Sequence, residues 1–233
     1  MGTPVKSLAN IFLHIVHPHD DATHSSDYRQ EESHFEMLAQ GTEKQHPAAQ
    51  TSPATPSRQE VLNYLGELAK DYHLPPKLVY SVAMAESSLN PAIDRVPNYF
   101  RDKNHHLVHD QQGNPVIKTY DYGLMQINSA RIGHDVVKDS HGHPFKIGED
   151  VTSDWRANAR AGVAVLAPAY HLAELEQGSG ATDEDHTQQA YSQYNGGGPR
   201  ARDRYLKEKH GLPENGADRN FVKRYREATD IKR

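Results

Sequence analysis

Residues 74–91 read Leu74-Pro75-Pro76-Lys77-Leu78-Val79-Tyr80-Ser81-Val82-Ala83-Met84-Ala85-Glu86-Ser87-Ser88-Leu89-Asn90-Pro91. Proline is tolerated in the first turn of a helix, where its missing N–H costs nothing, and the residue before a proline is pushed out of the helical region. The stretch therefore predicts a helix of about four turns. It begins at Pro75 and Pro76 and is stopped by Asn90-Pro91.

Glu86 occupies an unusual place in this helix. Val79, Val82 and Ala83 recur at spacings of three and four residues, and Glu86 is the next member of that apolar stripe. No Lys or Arg lies one helical turn from it. Burial raises the pKa of a carboxyl, and a carboxyl that is protonated near neutral pH can act as a general acid. The helix alone also permits the alternative in which Glu86 turns out to water.

The composition excludes several classes of protein. The chain has 233 residues, enough for one domain with a sizeable core and an appendage. It has no cysteine, which excludes a disulfide framework, a thiolate metal site and a cysteine nucleophile. The longest apolar run, residues 11–16, is interrupted by His14 and is far shorter than the roughly 20 residues that a membrane-spanning helix needs. We therefore predict no membrane span.

The charge pattern argues against a nucleic acid as partner. The net charge is −5, yet residues 200–233 contain eleven Lys or Arg and only six Asp or Glu. In that segment the signs alternate, and no aromatic residues interleave as they do in RNA- or DNA-binding proteins. We interpret the segment as a solvated helical face, with an anionic glycan as the alternative partner.

Residues 1–56 differ in composition from the rest of the chain. Residues 17–56 are rich in His, Ser, Thr, Gln, Asp and Glu, a composition that cannot build a packed core. We expect residues 1–56 to form a polar extension and linker, and residues 57–233 to form the domain. Only Lys6 precedes the apolar run and no small-residue cleavage site follows it, so we expect no conventional secretory signal.

The remaining segments predict a mostly helical domain. A capping box at Ser57-Arg58-Gln59-Glu60 precedes a helix with one apolar face: Val61, Leu62, Leu65, Leu68, Ala69 and Tyr72. Residues 107–117 predict a small hairpin around a Gly-Asn turn, and residues 134–150 predict irregular structure. Further helices are predicted at residues 154–176, 185–194, 200–210 and 218–228.

Four short motifs resemble those of a known family. They are Glu86-Ser87-Ser88-Leu89-Asn90-Pro91, Tyr122-Gly123-Leu124-Met125-Gln126-Ile127-Asn128, Asn158-Ala159-Arg160-Ala161-Gly162 and Tyr194-Asn195-Gly196-Gly197. In this order they resemble the SLT-type lytic transglycosylases of the lysozyme-like superfamily, and chance agreement of four spaced motifs is much rarer than of one. The long insertion before Tyr122 looks most like the specialised VirB1-like transglycosylases of type IV secretion.

The resemblance implies a mostly α, lysozyme-like domain with a small β-hairpin insertion and a cleft. It implies cleavage of the β-1,4 bond between N-acetylmuramic acid and N-acetylglucosamine in peptidoglycan, with closure of a 1,6-anhydro ring. Glu86 matches the family's catalytic residue, which acts first as acid and then as base. The 2-acetamido group of the substrate supplies the nucleophilic help that a second carboxylate gives in ordinary retaining glycosidases.

The resemblance also implies a set of substrate-binding residues. Gln126 matches an amide that hydrogen-bonds sugar, with Met125 beside it and Asn128 at the end of the same motif. Tyr194 and Asn195 match a pair that faces the catalytic glutamate, where the phenol can orient the carboxyl. Two alternatives remain open, namely a Gln126 satisfied by the backbone and a Tyr-Asn pair selected for capping the helix. Asn158 and Gly162 match positions that we assign to packing.

Two departures from the family pattern leave other activities open. Thr119-Tyr120-Asp121-Tyr122 replaces the usual lead-in to the second motif, so the family's serine contact to substrate cannot be assigned. Goose-type lysozymes share the fold and use additional aspartates to activate water, a role open to Asp94, Asp102 or Asp121. A lysozyme-like hydrolase is therefore the alternative enzyme. A non-catalytic cell-wall-binding component of a secretion system or phage particle is the alternative outside the enzymes.

The sixteen histidines invite the hypothesis of a metal site, with His105, His106, His109, His141 and His143 as its members. No His-Glu-x-x-His helix or comparable ligand spacing is present, so we predict no metal and no cofactor. The predicted partner is the peptidoglycan glycan strand. A secretion apparatus, a phage particle and an immunity or inhibitor protein are further candidates. The substrate implies action in the periplasm or cell wall, by an export route that the sequence does not identify.

Overall fold

A computed structural model describes residues 55–196 and 216–228. The helices in these ranges are α1 (Arg58–Asp71), α2 (Pro76–Ser87), α3 (Trp155–Gln177), α4 (Asp183–Gly196) and α5 (Gly216–Glu227). The strands are β1 (Arg95–Tyr99), β2 (Ile117–Tyr122), β3 (Ile127–Asn128), β4 (Val136–Lys138) and β5 (Pro144–Lys146), and short 3-10 turns span Glu149–Thr152 and Gly178–Gly180. The predicted fold class, a mostly α domain with a small β insertion, is confirmed. Residues 1–54 of the predicted extension and the predicted helix at 200–210 lie outside the described residues.

Helix α1 begins where its capping residues predict. The Ser57 hydroxyl accepts a hydrogen bond from the Glu60 backbone N–H at 3.2 Å. The Glu60 carboxylate pairs with Arg156 near the start of α3, so this side chain ties two helices together. All six residues of the predicted apolar face are buried.

Helix α2 ends earlier than predicted. Its last residue is Ser87, and the next two residues, Ser88 and Leu89, adopt the left-handed conformation with φ of 55° and 60°. Their N–H groups donate to the carbonyls of Met84 and Ala83. This pair of reversed bonds terminates the helix before Pro91 can. Glu86 therefore lies in the last turn of α2.

The first sheet has the antiparallel order β1-β2-β3. In its main hairpin Arg95 lies opposite Tyr122 and Tyr99 lies opposite Ile117. The predicted hairpin at residues 107–117 was therefore misplaced. That segment forms only two isolated bridges, Arg101 with Leu107 and His109 with Pro115, at the exposed end of the insertion. The turn at Gly113 exists, but the strands that form the sheet lie on either side of the predicted pair.

A second hairpin pairs β4 with β5, where the sequence predicted irregular structure. Its turn is closed by Asp139, whose Oδ1 accepts hydrogen bonds from the N–H groups of His141 and His143 at 2.9 Å. The prediction failed because three-residue strands are too short to show an alternating pattern. Arg160 of α3 lies 4.5 Å from the centre of the Phe145 ring and attaches this hairpin to the helical core.

The helices share one core. Its fully buried side chains include Val61, Leu65, Leu78, Val79, Leu166 and Phe221. Helix α3 packs mainly against α4, while α2 packs against α1 and α5. The helix that carries Glu86 is therefore enclosed by two others. No helix within the described ranges has both the length and the apolar character needed to cross a membrane.

Candidate active site

Glu86 lies on the buried face of α2. Val79, Val82 and Ala83 on the same face are completely buried. The residue as a whole keeps partial exposure, yet its Oε1 is buried and has no hydrogen-bond partner among the described residues. The carboxyl is thus recessed, while part of the side chain stays open to solvent. This arrangement corresponds to the inward orientation predicted from the apolar stripe.

The surroundings of Glu86 favour its neutral form. Burial raises the pKa of the carboxyl to about 8, the nearby Tyr191 side chain opposes the rise, and the charge of Asp121 adds to it. Desolvation dominates because a buried carboxylate loses its hydration without gaining an equal partner. At neutral pH Glu86 is therefore mainly protonated and able to donate a proton.

Asp121 is held on the polar side of the first sheet. Its Oδ2 accepts from the Asn98 amide at 2.8 Å and its Oδ1 accepts from the Asn128 amide at 2.7 Å. Burial raises the pKa of Asp121, and the two amides and Arg131 counteract this rise. Asp94 is exposed, and Asp102 lies in the exposed turn that precedes His106. Of the three aspartates considered, Asp121 is the one whose charge acts on Glu86.

Asn158 of α3 holds the turn between β2 and β3 in place. Its Oδ1 accepts from the Met125 N–H at 2.8 Å, and its Nδ2 donates to the carbonyls of Tyr122 at 2.8 Å and Val151 at 3.0 Å. Gly123 has φ of +68°, and a Cβ there would lie 2.7 Å from the Asn158 amide. A Cβ on Gly162 would lie 2.5 Å from that of Met125. Asn158 and Gly162 therefore serve packing, as predicted.

Met125 and Gln126 contact protein groups. Met125 is completely buried, so its side chain does not face substrate in this structure and we reassign it to packing. Gln126 is half-buried, with φ of 47°, and its Nε2 donates to the Gly123 carbonyl at 2.8 Å. This backbone contact is the alternative to sugar binding that the sequence leaves open for Gln126. Asn128 is also half-buried and donates to Thr119 as well as to Asp121.

Two tyrosines of α4 lie at the site: Tyr194, which the sequence predicted there, and Tyr191, which it did not. The Tyr194 hydroxyl donates to the Met125 carbonyl at 2.5 Å, and burial and the charge of Glu86 raise its pKa. Tyr191 is the tyrosine that lowers the pKa of Glu86. Tyr191 lies one turn before Tyr194 on the same helix face, and this spacing is the only signal by which the sequence indicates it. Asn195 is exposed near the end of α4, and Gly197 of the same motif lies outside the described residues.

The histidines do not form a ligand cluster. His105, His106, His109, His141 and His143 are all exposed at the two hairpin ends. Within residues 55–196 and 216–228 no group of three or more His, Asp or Glu side chains is arranged to hold a metal ion.

Comparison with known families accounts for this arrangement. A family model described as "Transglycosylase SLT domain" matches residues 63–215, well over half of the chain. The match contains Glu86, Asp121, Asn158 and Tyr194, and it ends just before α5 begins. No curated protein and no solved structure matches the sequence significantly. The chain therefore belongs to the transglycosylase SLT domain family, whose members are lysozyme-like lytic transglycosylases that act on the peptidoglycan of the cell wall.

Proposed function

We propose that this protein cleaves the β-1,4 bond between N-acetylmuramic acid and N-acetylglucosamine and closes a 1,6-anhydro ring on the muramic acid, with Glu86 as acid and then base. The observation that supports this proposal is the recessed Glu86 carboxyl, which burial keeps protonated near neutral pH. The sugar alkoxide is a poor leaving group, so it needs a neutral acid of this kind to protonate its oxygen as the bond breaks.

The proposed reaction has two steps. In the first, Glu86 gives its proton to the glycosidic oxygen while the bond from that oxygen to C1 breaks and the 2-acetamido oxygen bonds to C1. In the second, the Glu86 carboxylate takes the proton of the C6 hydroxyl, whose oxygen displaces the acetamido oxygen at C1. No water is consumed and Glu86 returns to its protonated form. A buried carboxylate serves the second step well, because a raised pKa makes it a stronger base.

In this proposal, some of the other predicted site residues contact the sugar directly and others position catalytic groups. We place Gln126 and Asn195 in direct contact with sugar, because both keep part of their side chain accessible. Asn128 acts through Asp121, to which it donates, and Tyr194 acts through the Met125 carbonyl. Both are positioning residues.

Hydrolysis is a second candidate, which the position of Asp121 favours. An inverting hydrolase needs a second carboxylate that activates a water molecule on the far side of the sugar ring. Asp121 is the carboxylate within electrostatic reach of Glu86. Against this role, both Asp121 oxygens already accept an amide hydrogen bond, which weakens them as acceptors for a water proton. We therefore favour ring closure.

The products distinguish the two reactions. We expect mass spectrometry of digested peptidoglycan to find anhydro muropeptides, which are lighter than reducing-end products by one water. Asp121→Asn should keep forming anhydro products, and Asp94→Asn, at an exposed site, serves as its control. Reducing ends that dominate in the wild type and disappear in Asp121→Asn would establish hydrolysis with Asp121 as base. A wild-type protein that binds peptidoglycan without cleaving it would indicate the non-catalytic alternative.

We further propose that residues 1–56 lie outside the catalytic domain. Their composition lacks a core-forming pattern, and Ser57 already provides the cap of α1. Removal of residues 1–56 should leave the Tm and the rate of peptidoglycan cleavage close to unchanged, as measured by calorimetry and turbidity assays. A large drop in Tm would instead show that the apolar residues 11–16 dock on the domain.

Our proposal for how the protein reaches its substrate rests only on the similarity of its motifs to those of the VirB1-like transglycosylases. The insertion before Tyr122 suggests service to a secretion apparatus of the type IV kind, and a phage particle or an inhibitor protein is an alternative partner. Transfer to the periplasm or cell wall is required by the substrate. Copurification from cells with intact envelopes tests the secretion partner, and the absence of any envelope component would contradict it.

A further inference from the structure

The first sheet has a polar side, which four of its residues form. Asp121 of β2 lies opposite Asn128 of β3. Two residues earlier on β2, Thr119 lies opposite Asn98 of β1. Residues opposite each other in an antiparallel sheet share a side, and so do residues two apart on one strand, so all four lie together. We call Asn98, Thr119, Asp121 and Asn128 the polar face.

The other side of this sheet is directed toward the hydrophobic core. Tyr122 pairs with Ile127 there, and Ile127 is only 2% exposed while Tyr122 packs against the core residues. The polar face is therefore directed away from the core. Its four residues are half-buried, so each keeps some contact with solvent. The polar face is thus open to a ligand from outside.

The polar face is held in one arrangement by its own hydrogen bonds. The Asp121 carboxylate accepts from the Asn98 amide at 2.8 Å and from the Asn128 amide at 2.7 Å. The Asn128 amide nitrogen also donates to the Thr119 hydroxyl oxygen at 3.0 Å, and its Oδ1 accepts from the Ala130 N–H at 2.9 Å. A ligand that binds here meets side chains that are already ordered, which reduces the entropic cost of binding.

Several hydrogen-bonding groups of the polar face are still unused. The Asn98 Oδ1 has no partner among residues 55–196 and 216–228, and it is not one of the atoms that are sealed from solvent there. The proton of the Thr119 hydroxyl likewise has no acceptor in the described part of the chain. Each Asp121 oxygen can accept a further hydrogen bond.

This mixture of groups fits a saccharide. Sugar hydroxyl and acetamido groups each donate and accept hydrogen bonds, and the polar face offers both a free acceptor and a free donor close together. The fixed negative charge of Asp121 disfavours an anionic ligand. Thr119 and Asp121 are two residues apart on one strand, which corresponds to about 7 Å. The polar face is thus long enough for a single sugar unit.

We propose that the polar face is a saccharide-binding subsite, at which Asn98, Thr119 and Asp121 hydrogen-bond one N-acetylhexosamine unit of a glycan strand. Asn128 is a positioning residue, because it holds both Thr119 and Asp121. The inference rests on the proposed function, which supplies the glycan. It gives binding roles to Asn98 and Thr119, and Thr119 begins the segment in which the sequence departs from the family pattern.

Binding of a soluble glycan tests the subsite directly. The probe is the β-1,4-linked tetramer of N-acetylglucosamine, added to the full-length Glu86→Gln protein so that no cleavage occurs. We expect the side-chain amide signals of Asn98 and Asn128 in nitrogen-15 NMR spectra to shift as the tetramer is added. The amide signal of Asn104, which is exposed in the turn at the end of the insertion, should stay in place.

Two substitutions remove the unused groups one at a time. Thr119→Val, which keeps the shape and the preference for a strand, and Asn98→Ala should each raise the Kd for the tetramer about fivefold, as the loss of one hydrogen bond does. Tyr120→Phe and Asn104→Ala are the controls and should leave the Kd unchanged. Tyr120 is the neighbour of Thr119 on the other side of the sheet. Thermal melts verify that each variant is folded.

The results separate this inference from the proposed function. An unchanged Kd in both variants, or tetramer binding without a shift of the Asn98 and Asn128 signals, would overturn the subsite and leave the proposed cleavage standing. A Glu86→Gln protein that does not bind the tetramer would also overturn the subsite. Shifted signals and weakened binding in the variants of a protein whose wild type does not cleave peptidoglycan would support the subsite and overturn the proposed function instead.

Discussion

Glu86→Gln is expected to abolish peptidoglycan cleavage, with a loss of at least about a hundredfold, while glycan binding stays nearly intact. The amide has the shape of a protonated carboxyl but can neither deliver a proton nor take one back. The measurement is turbidity clearance of cell walls together with mass spectrometry of the released muropeptides. Glu67→Gln, on an exposed position of α1, is the matched control and should retain full activity. Clearance by Glu86→Gln near the wild-type rate would refute the assignment.

The same substitution should change the pH dependence of stability. The pKa of Glu86 in the folded protein is about 8, against an ordinary value of 4.5. The folded state thus binds this proton more tightly than the unfolded chain does. Its contribution to stability is fully present below pH 4.5 and is lost as the pH rises through 8. Glutamine stays neutral, so Glu86→Gln avoids that loss.

We therefore expect the stability of Glu86→Gln, relative to the wild type, to increase by a few kcal/mol, on the order of 3, between pH 4 and pH 9. Urea denaturation of both proteins across this range measures the difference in the free energy of unfolding. Glu67→Gln again provides the reference, because its side chain is exposed in the folded state. A difference between Glu86→Gln and wild type that does not vary with pH would show that Glu86 is not recessed.

Asn158→Ala is expected to produce the largest loss of stability among the single substitutions considered, on the order of 3 kcal/mol or more. Asn158 is 1% exposed and satisfies one N–H and two carbonyls, those of Met125, Tyr122 and Val151. Alanine would leave these backbone groups without their partner, at about 1–3 kcal/mol for each that stays buried. Urea denaturation measures the loss.

The substitution should reduce cleavage as well, because the turn that Asn158 holds carries the Met125 carbonyl to which Tyr194 donates. Asn63→Ala is the matched control. Asn63 is exposed on α1, and its side chain accepts a hydrogen bond from Gln59, one turn earlier on the same helix. Replacing Asn63 by alanine should therefore lower the free energy of unfolding by less than about 0.5 kcal/mol. An Asn158→Ala protein as stable as Asn63→Ala would contradict the clamping role.

The helices were predictable because their signals are local. The cap at Ser57 and the one at Asp154 act within a few residues, and α1 and α3 begin where those caps stand. The period of Val79, Val82 and Ala83 likewise depends only on the geometry of a single helix, so the inward direction of Glu86 followed from it. The capping of the other end of α2 was harder to predict, because left-handed Ser88 and Leu89 have no distinctive sequence signal.

The strands were less predictable because their signals are distant. Strand β1 contains Pro97 and polar residues, and its partner β2 follows only after an insertion of 17 residues, 100–116. Pairing across such a loop is determined by how the ends of the insertion are anchored on the domain. The turn at Gly113 was the strongest local signal in the segment. It lies at the exposed end of the insertion, between residues that form only isolated bridges, and does not connect the strands of the sheet.

For the site, the sequence alone indicated Glu86 as the candidate acid, its apolar surroundings and the motifs that build the neighbouring turn, since each is a property of one helix or one short segment. Only the tertiary structure revealed which groups reach the acid. Tyr191 and Tyr194 are one turn apart on α4, and in the folded chain Tyr191 affects the pKa of Glu86 while the Tyr194 hydroxyl donates to the Met125 carbonyl. The stack of Phe221 on Tyr191 joins residues 30 positions apart, and no local pattern encodes it because it arises when α5 packs between α2 and α4.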